Sequence, residues 1–131
     1  MTFTEDEIEY LKSQPLGRLC TLGPTGAPQA KAVGVHLGPH GTLDVVGYAN
    51  ADSRKWRNVQ TDPRVTFIVD DLASRNPWTV RGLEIRGHAE TVLGADAAAG
   101  GMSGDVIRIH PRRILSWGIN EAGRMTARNV A

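Results

Sequence analysis

Short apolar runs separated by turn residues make up most of this chain. They have the length of β-strands, and glycine and proline lie between them. The predicted strands are residues 16–22, 29–37, 42–47, 65–69, 83–92, 106–110 and 113–119. Turn residues at 23–26 and 38–41 favour hairpins at those points. Six or seven strands at this spacing predict a mainly β protein, an antiparallel barrel with few helices.

Two helices are expected around this barrel. Thr4 and Glu7 have the spacing of a capping box, and the apolar stripe of Ile8 and Leu11 predicts a helix that runs to about Ser13. A second, short helix follows the third strand. Ser53 is its expected cap, and Asp62-Pro63 ends it.

The start of the second helix carries the most informative chemistry in the chain. Arg54 and Lys55 follow the capping Ser53 directly. Free N–H groups at a helix N-terminus and two cationic side chains together form a site for an anion such as phosphate. A solvated basic face on a surface helix fits the same residues equally well.

Length and composition narrow the class of protein. The 131 residues predict one domain covering 1–131, and the formal charge of +1 gives no broad basic surface for nucleic acid. The only cysteine, Cys20, excludes an internal disulfide framework, fits a reducing cytoplasm and is expected to be inert. No apolar run is long enough for a signal segment or a membrane span, so we expect a cytoplasmic protein that does not bind membranes.

Four motifs in order resemble the flavin-binding split-barrel superfamily that contains pyridoxamine 5'-phosphate oxidase. They are Ser53-Arg54-Lys55, Asp62-Pro63-Arg64-Val65, the strand at 84–90 and the segment 111–117. The segment 114–119 is also similar to the actinobacterial branch that uses the deazaflavin coenzyme F420. The resemblance implies an FMN-binding type of split barrel.

The same resemblance implies the cofactor and its contacts. The cofactor is F420, with FMN as the alternative, bound between the subunits of a homodimer. A predicted loop at 71–81 covers the partner's cofactor, while Trp56 packs the short helix onto the barrel. Arg57, Arg81 and Arg86 are further candidates to meet the carboxylates of an F420 tail. The implied cofactor-binding residues are Lys31, Ala32, Val33, Ser53, Arg54, Lys55, Asn58, Trp78 and Trp117.

The expected activity is reduction of a small organic substrate by reduced F420 or FMN. The oxidase itself is excluded, because its C-terminal Arg-Leu-His-Asp-Arg-like segment is missing from residues 120–131. No acid, base or nucleophile motif identifies a catalytic residue, as befits a reaction carried by its cofactor. The four histidines lack ligand spacing, so no metal is predicted, and His36 is expected to be a solvated residue at a strand end. The alternatives are a flavin or F420 carrier without turnover and an interaction module that has lost its ligand.

Overall fold

A computed structural model describes residues 2–95, 104–120 and 124–130 of the chain. The predicted Gly/Ala loop at 94–101 therefore lies largely outside the described residues. The helices are α1 (Glu5–Ser13) and α2 (Arg54–Thr61). The strands are β1 (Leu16–Leu22), β2 (Pro28–Gly34), β3 (Leu43–Val45), β4 (Arg64–Arg75), β5 (Trp78–Val92), β6 (Val106–Trp117) and β7 (Thr126–Asn129).

The strands form one seven-stranded antiparallel sheet in the order β2-β1-β4-β5-β6-β3, and β7 pairs with β6. Alternate residues of the long strands point inward, where Leu19, Phe67, Ile85 and Ile114 are at most 1% exposed. This inner face is the hydrophobic core, and the helices pack against the sheet around it. The mainly β architecture predicted from the sequence is confirmed, including a short helix after the third strand.

The predicted loop at 71–81 is wrong, because these residues continue a β-hairpin. The ladder between β4 and β5 runs on through Asp71 opposite Arg81 and ends with Arg75 opposite Trp78. Only Asn76 and Pro77 remain as the turn. Backbone hydrogen bonds extend β4 and β5 beyond the core. Because the side chains of this extension are polar or exposed, the alternation of apolar residues ends before the strands do, and the sequence gives no strand signal there.

The two predicted strands at 106–110 and 113–119 are one strand, β6. Pro111 lies opposite Gly87 while Arg113 lies opposite Arg86, so Arg112 is the extra residue of a bulge. A bulge tolerates proline within a sheet. Gly87 is required here, because a Cβ on it would lie 2.3 Å from the carbonyl oxygen of His110.

Two further differences concern short elements. β2 ends at Gly34, and the turn at 38–41 is closed by a bridge between Leu37 and Leu43 and by a backbone hydrogen bond from Thr42 to Pro39, while β3 pairs with β6. The sequence analysis did not predict β7. Its four residues, Thr126–Asn129, carry no strand pattern, and their pairing with β6 defines the strand.

The capping box of α1 is confirmed and also joins the two ends of the chain. Thr4 Oγ1 accepts the N–H of Glu7, and Glu7 Oε1 accepts the N–H of Thr4. Arg128 on β7 donates to both carboxylate oxygens of Glu7 at 2.6 and 2.7 Å and to the carbonyl of Thr2 at 2.7 Å. Because the Glu7 side chain is only 4% exposed, its charge depends on Arg128 for compensation.

We expect Arg128→Met to lower the free energy of unfolding by about 3 kcal/mol, since it leaves a buried carboxylate without its partner. Chemical denaturation measures the loss. Arg64→Met is the matched control, because its pair with Asp62 is largely exposed on the arginine side and should contribute little to stability. Equal losses in the two variants would contradict a special role for the Glu7 pair.

Candidate functional site

A cleft of about 340 Å³ lies between the start of α2 and the strands β1 and β2. Strand pairing creates its floor: Leu19 lies opposite Lys31 and Thr21 lies opposite Gln29, so the four side chains share the face that α2 covers. The residues lining the cleft are Leu19, Thr21, Gln29, Ala30, Lys31, Ser53, Arg54 and Lys55.

Ser53 fixes the start of α2 at the edge of this cleft. Its Oγ accepts the N–H of Trp56 at 3.3 Å and donates to the carbonyl of Asn50 at 2.6 Å. The N–H groups in the first turn of a helix have no carbonyl partner within the helix, so α2 presents donors and the positive end of its dipole here. Trp56, 4% exposed, packs the helix into the core, as predicted.

Three cationic side chains surround this helix end. Lys31 comes from β2, and Arg54 and Lys55 come from the first turn of α2. None of the three belongs to an ion pair within residues 2–95, 104–120 and 124–130. Burial lowers the pKa of Lys55, and the nearby charge of Lys31 lowers it further. The cleft therefore gathers positive charge that its own residues leave uncompensated, which is the electrostatic requirement of an anion site.

The other predicted residues on β2 and α2 lie beside the cleft or beneath it. Val33 is buried on the inner face of β2, and Ala32 is exposed on the opposite face, across from Arg18. Asn58, 4% exposed, lies below the floor. Its Nδ2 donates to Thr21 Oγ1 at 3.0 Å and to Gln29 Oε1 at 2.8 Å.

The two predicted tryptophans lie away from the cleft of their own chain. Trp117, at the end of β6, pairs with Gly82, and a Cβ on Gly82 would lie 2.3 Å from its Cζ2 atom, so the indole covers that glycine. Trp78 lies at the tip of the β4–β5 hairpin with 72% of its surface exposed. Their contact with a cofactor stays a prediction.

Gln29 and Thr21 line the cleft but were not predicted from the sequence. The alternation of side chains along β2 and the pairing of β1 with β2 would have identified them. Gln29 and Lys31 are two apart on β2, and therefore share a face, while Thr21 pairs with Gln29. The additional arginines proposed for an F420 tail have partners within the chain. Arg57 donates to the carbonyl of Asp52, Arg81 pairs with Asp71, and Arg86 pairs with Glu84.

A second cavity, about 310 Å³ in volume, lies between α1 and the ends of β5 and β6. Tyr10 lines it and donates its hydroxyl proton to Asp71 Oδ1 at 2.7 Å, while the Arg81 guanidinium lies 5.3 Å from the centre of the Tyr10 ring. Burial, together with the hydrogen bond to Asp71, raises the pKa of Tyr10 above its usual range. These groups satisfy one another and hold α1 against the hairpin.

The described parts of the chain contain neither a cluster of metal ligands nor a helix able to cross a bilayer. There, no three His, Cys, Asp or Glu side chains come together in a way that would hold a metal ion. No helix in those parts has both the length and the apolar character needed to cross a bilayer. His36 is exposed just beyond the end of β2, as expected of a solvated histidine.

With this geometry, the chain belongs to the pyridoxamine 5'-phosphate oxidase family, whose model matches residues 3–122. A 5a,11a-dehydrotetracycline/5a,11a-dehydrooxytetracycline reductase of Streptomyces rimosus is 41% identical over 121 residues, covering 91% of this chain and 85% of that protein. The chain is accordingly an oxidoreductase of the split-barrel superfamily.

Solved structures share the same fold. A conserved hypothetical protein of Mycobacterium tuberculosis superposes with a TM-score of 0.73 at 25% identity, covering 98% of this chain and 92% of that one. A structure described as an F420 reductase superposes with a TM-score of 0.62 at 22% identity, covering 81% of this chain and 94% of that one.

We expect Lys55→Met to make the ligand-free protein more stable at neutral pH. Burial and Lys31 both disfavour the charged lysine in the fold, so the folded chain releases this proton at lower pH than the unfolded chain. Stability of the wild type therefore rises as the pH climbs through the lowered pKa, and the advantage of Lys55→Met shrinks toward the ordinary pKa of lysine.

Thermal unfolding of both proteins between pH 7 and pH 11 measures this difference. Lys12→Met is the control. It replaces an exposed lysine at the end of α1 and should not stabilise the protein. A Lys55→Met protein that is less stable than the wild type at pH 7 would contradict the presence of uncompensated charge in the cleft.

Proposed function

We propose that the protein is a reductase that binds reduced coenzyme F420 and uses it to reduce a carbon–carbon double bond in a small polycyclic substrate. The observation that carries this proposal is the cleft at the start of α2, where a helix N-terminus and three cations without an ion-pair partner among the described residues face one volume. The reductase from Streptomyces rimosus supports the reaction class and the substrate class. The structural likeness to an F420 reductase supports the cofactor.

The residues of the cleft fit the phosphate-bearing part of such a cofactor. Ser53 lines the cleft and fixes the start of α2, the first N–H groups of α2 supply hydrogen-bond donors, and Lys55 and Lys31 supply charge from opposite walls. FMN, the alternative cofactor, carries a terminal phosphate that this arrangement also suits. Arg54 is more exposed than Lys55 and adds charge at the mouth.

Bound in its reduced form, F420 supplies a hydride to carbon, and water supplies the proton that completes the reduction. The chain contributes binding and orientation. None of the residues lining the cleft is a histidine or a carboxylate, so the described site offers no internal general acid of these kinds. The cytoplasm is the proposed location, in agreement with the free thiol of Cys20.

The Lys55→Glu variant tests this function by titration with F420 and with FMN. A charge-assisted hydrogen bond is worth roughly 1.5–3 kcal/mol, so loss of the cation should raise the dissociation constant at least about tenfold, and repulsion should raise it further. We expect tighter binding of F420 than of FMN, and oxidation of reduced F420 when 5a,11a-dehydrotetracycline is added to the wild type.

The alternatives give different results in the same experiment. Binding without oxidation of the cofactor by any tested acceptor would favour a carrier. Equal affinity of wild type and Lys55→Glu would place the phosphate elsewhere. Lys12→Glu, which introduces the same charge change on α1, controls for effects of net charge and should bind like the wild type.

The proposal includes a homodimer in which each cofactor contacts both chains. The outer face of the sheet exposes apolar side chains that the chain itself leaves uncovered: Leu16 is 52%, Val80 46% and Leu72 36% exposed. Leu72 and Val80 are direct partners near the tip of the β4–β5 hairpin, beyond which Trp78 projects. Packing of two such faces would cover these residues and bring Trp78 and Trp117 of one copy toward the cleft of the other.

Subunit complementation tests this arrangement. Lys55→Glu removes the phosphate site, and Trp117→Ala removes an aromatic surface that the proposal places in the neighbouring site. Co-refolding of the two variants should produce heterodimers with one intact site each. At random pairing about half of the dimers are heterodimers, so the mixture should have about a quarter of the wild-type binding capacity.

Sedimentation gives the oligomeric state directly. A monomer at micromolar concentration that binds the cofactor tightly would contradict the shared site. Mixing each variant with itself is the control, and a mixture with no more capacity than these controls would place Trp117 outside the cofactor site of either copy.

A further inference from the structure

We infer that Asn58 is a positioning residue that holds Lys31 and Lys55 close enough to bind the same anionic group. The inference relies on the proposed function only for the identity of that group. Asn58 does not line the cleft, yet one amide connects the three elements that build it. Its Nδ2 donates to Thr21 on β1 and to Gln29 on β2, and the residue itself belongs to α2.

The position of each bond matters. Gln29 and Lys31 are two residues apart on β2, so their side chains leave the strand on one face. Lys55 and Asn58 are three residues apart on α2, so they are neighbours on one side of the helix. Lys31 therefore lies next to Gln29 on β2, and Lys55 lies next to Asn58 on α2. Because a 2.8 Å hydrogen bond joins Asn58 to Gln29, it limits the distance between the two lysines.

Burial makes this connection firm. Asn58 and Thr21 are 4% and 3% exposed, so water does not compete freely for their hydrogen bonds. A buried donor that loses its acceptor pays a desolvation cost, which favours the paired geometry. The like charges of Lys31 and Lys55 push in the opposite direction, and the charge of Lys31 adds to burial, the larger cause, in lowering the pKa of Lys55.

A double-mutant cycle separates positioning from general support of the fold. Asn58→Ala should weaken binding of FMN and F420 on the order of tenfold in the wild-type background. The reason is that the variant must bring the two lysines together without the hydrogen bonds of Asn58, whose net contribution is of that order. In the Lys31→Met background it should change the affinity less than about twofold, because there is no second lysine left to position.

The ligand-free protein supplies an independent measurement. NMR titration of the Lys55 side chain should show that Asn58→Ala raises its pKa toward the ordinary value, as the two lysines move apart. Thr42→Ala is the matched control, since Thr42 is also 4% exposed and donates a side-chain hydrogen bond, to Pro39, in a turn outside the cleft. It should lower stability without changing the pKa of Lys55 or the affinity.

Thr21→Val provides a second, isosteric variant if Asn58→Ala does not fold, and should act in the same direction. An equal loss of affinity in both backgrounds together with an unchanged Lys55 pKa would overturn the inference and leave the proposed function intact. If the wild type binds neither FMN nor F420, the proposed function fails, and the Lys55 titration still decides whether Asn58 positions the lysines.

Discussion

The register of the β1–β2 hairpin is the constraint on which the site depends. Side chains alternate between the two faces of a strand, so a shift of one residue would send Lys31 and Gln29 to the outer face and Ala30 and Ala32 inward. The observed pairing of Leu19 with Lys31 joins a buried core residue to a cation at the edge of the cleft. Burial of Leu19 thereby fixes the place of the Lys31 charge.

Repulsion between the cations of the cleft opposes the arrangement that the hairpin register imposes. The fold brings Lys31 and Lys55 together without an acidic partner among the described residues, in contrast to Glu7, whose buried charge is met by Arg128. Among the described residues, the buried carboxylate of Glu7 has a cationic partner, whereas the half-buried Lys55 and the exposed Lys31 of the cleft belong to no ion pair. Such a difference is expected where binding of a ligand completes the electrostatics.

Family membership and the geometry of the cleft establish different things. Membership gives the split barrel and the oxidoreductase class, and the geometry shows that positive charge gathers at the start of α2. The cofactor, the substrate and the second subunit belong to the proposal, because a family of one fold accommodates many ligands through changes in a few side chains. The shared motifs place Trp117 on β6, while the sheet turns its indole away from the cleft in the same chain.

The sequence by itself determined the features that depend on neighbouring residues. The capping box of α1, the Ser53 cap of α2 and most strands of the barrel follow from local hydrogen-bonding groups and from apolar alternation. The β4–β5 hairpin beyond Val69 and Leu83 was missed, since its strands are held by backbone pairing with few buried side chains. The short strand β7 and the bulge at Arg112 were missed for the same reason, because each exists through its partner strand.

Only the tertiary structure decided which residues form the cleft. Asn58 and Gln29 are 29 residues apart, and no local pattern reveals that one amide joins them. Thr21 reads as an ordinary strand residue until the helix is placed over it, and Lys31 is singled out in the sequence only by the family resemblance. Long-range packing sets these distances. All the strands bury one continuous core together, so the sequence of a single segment does not determine where that segment lies relative to the others.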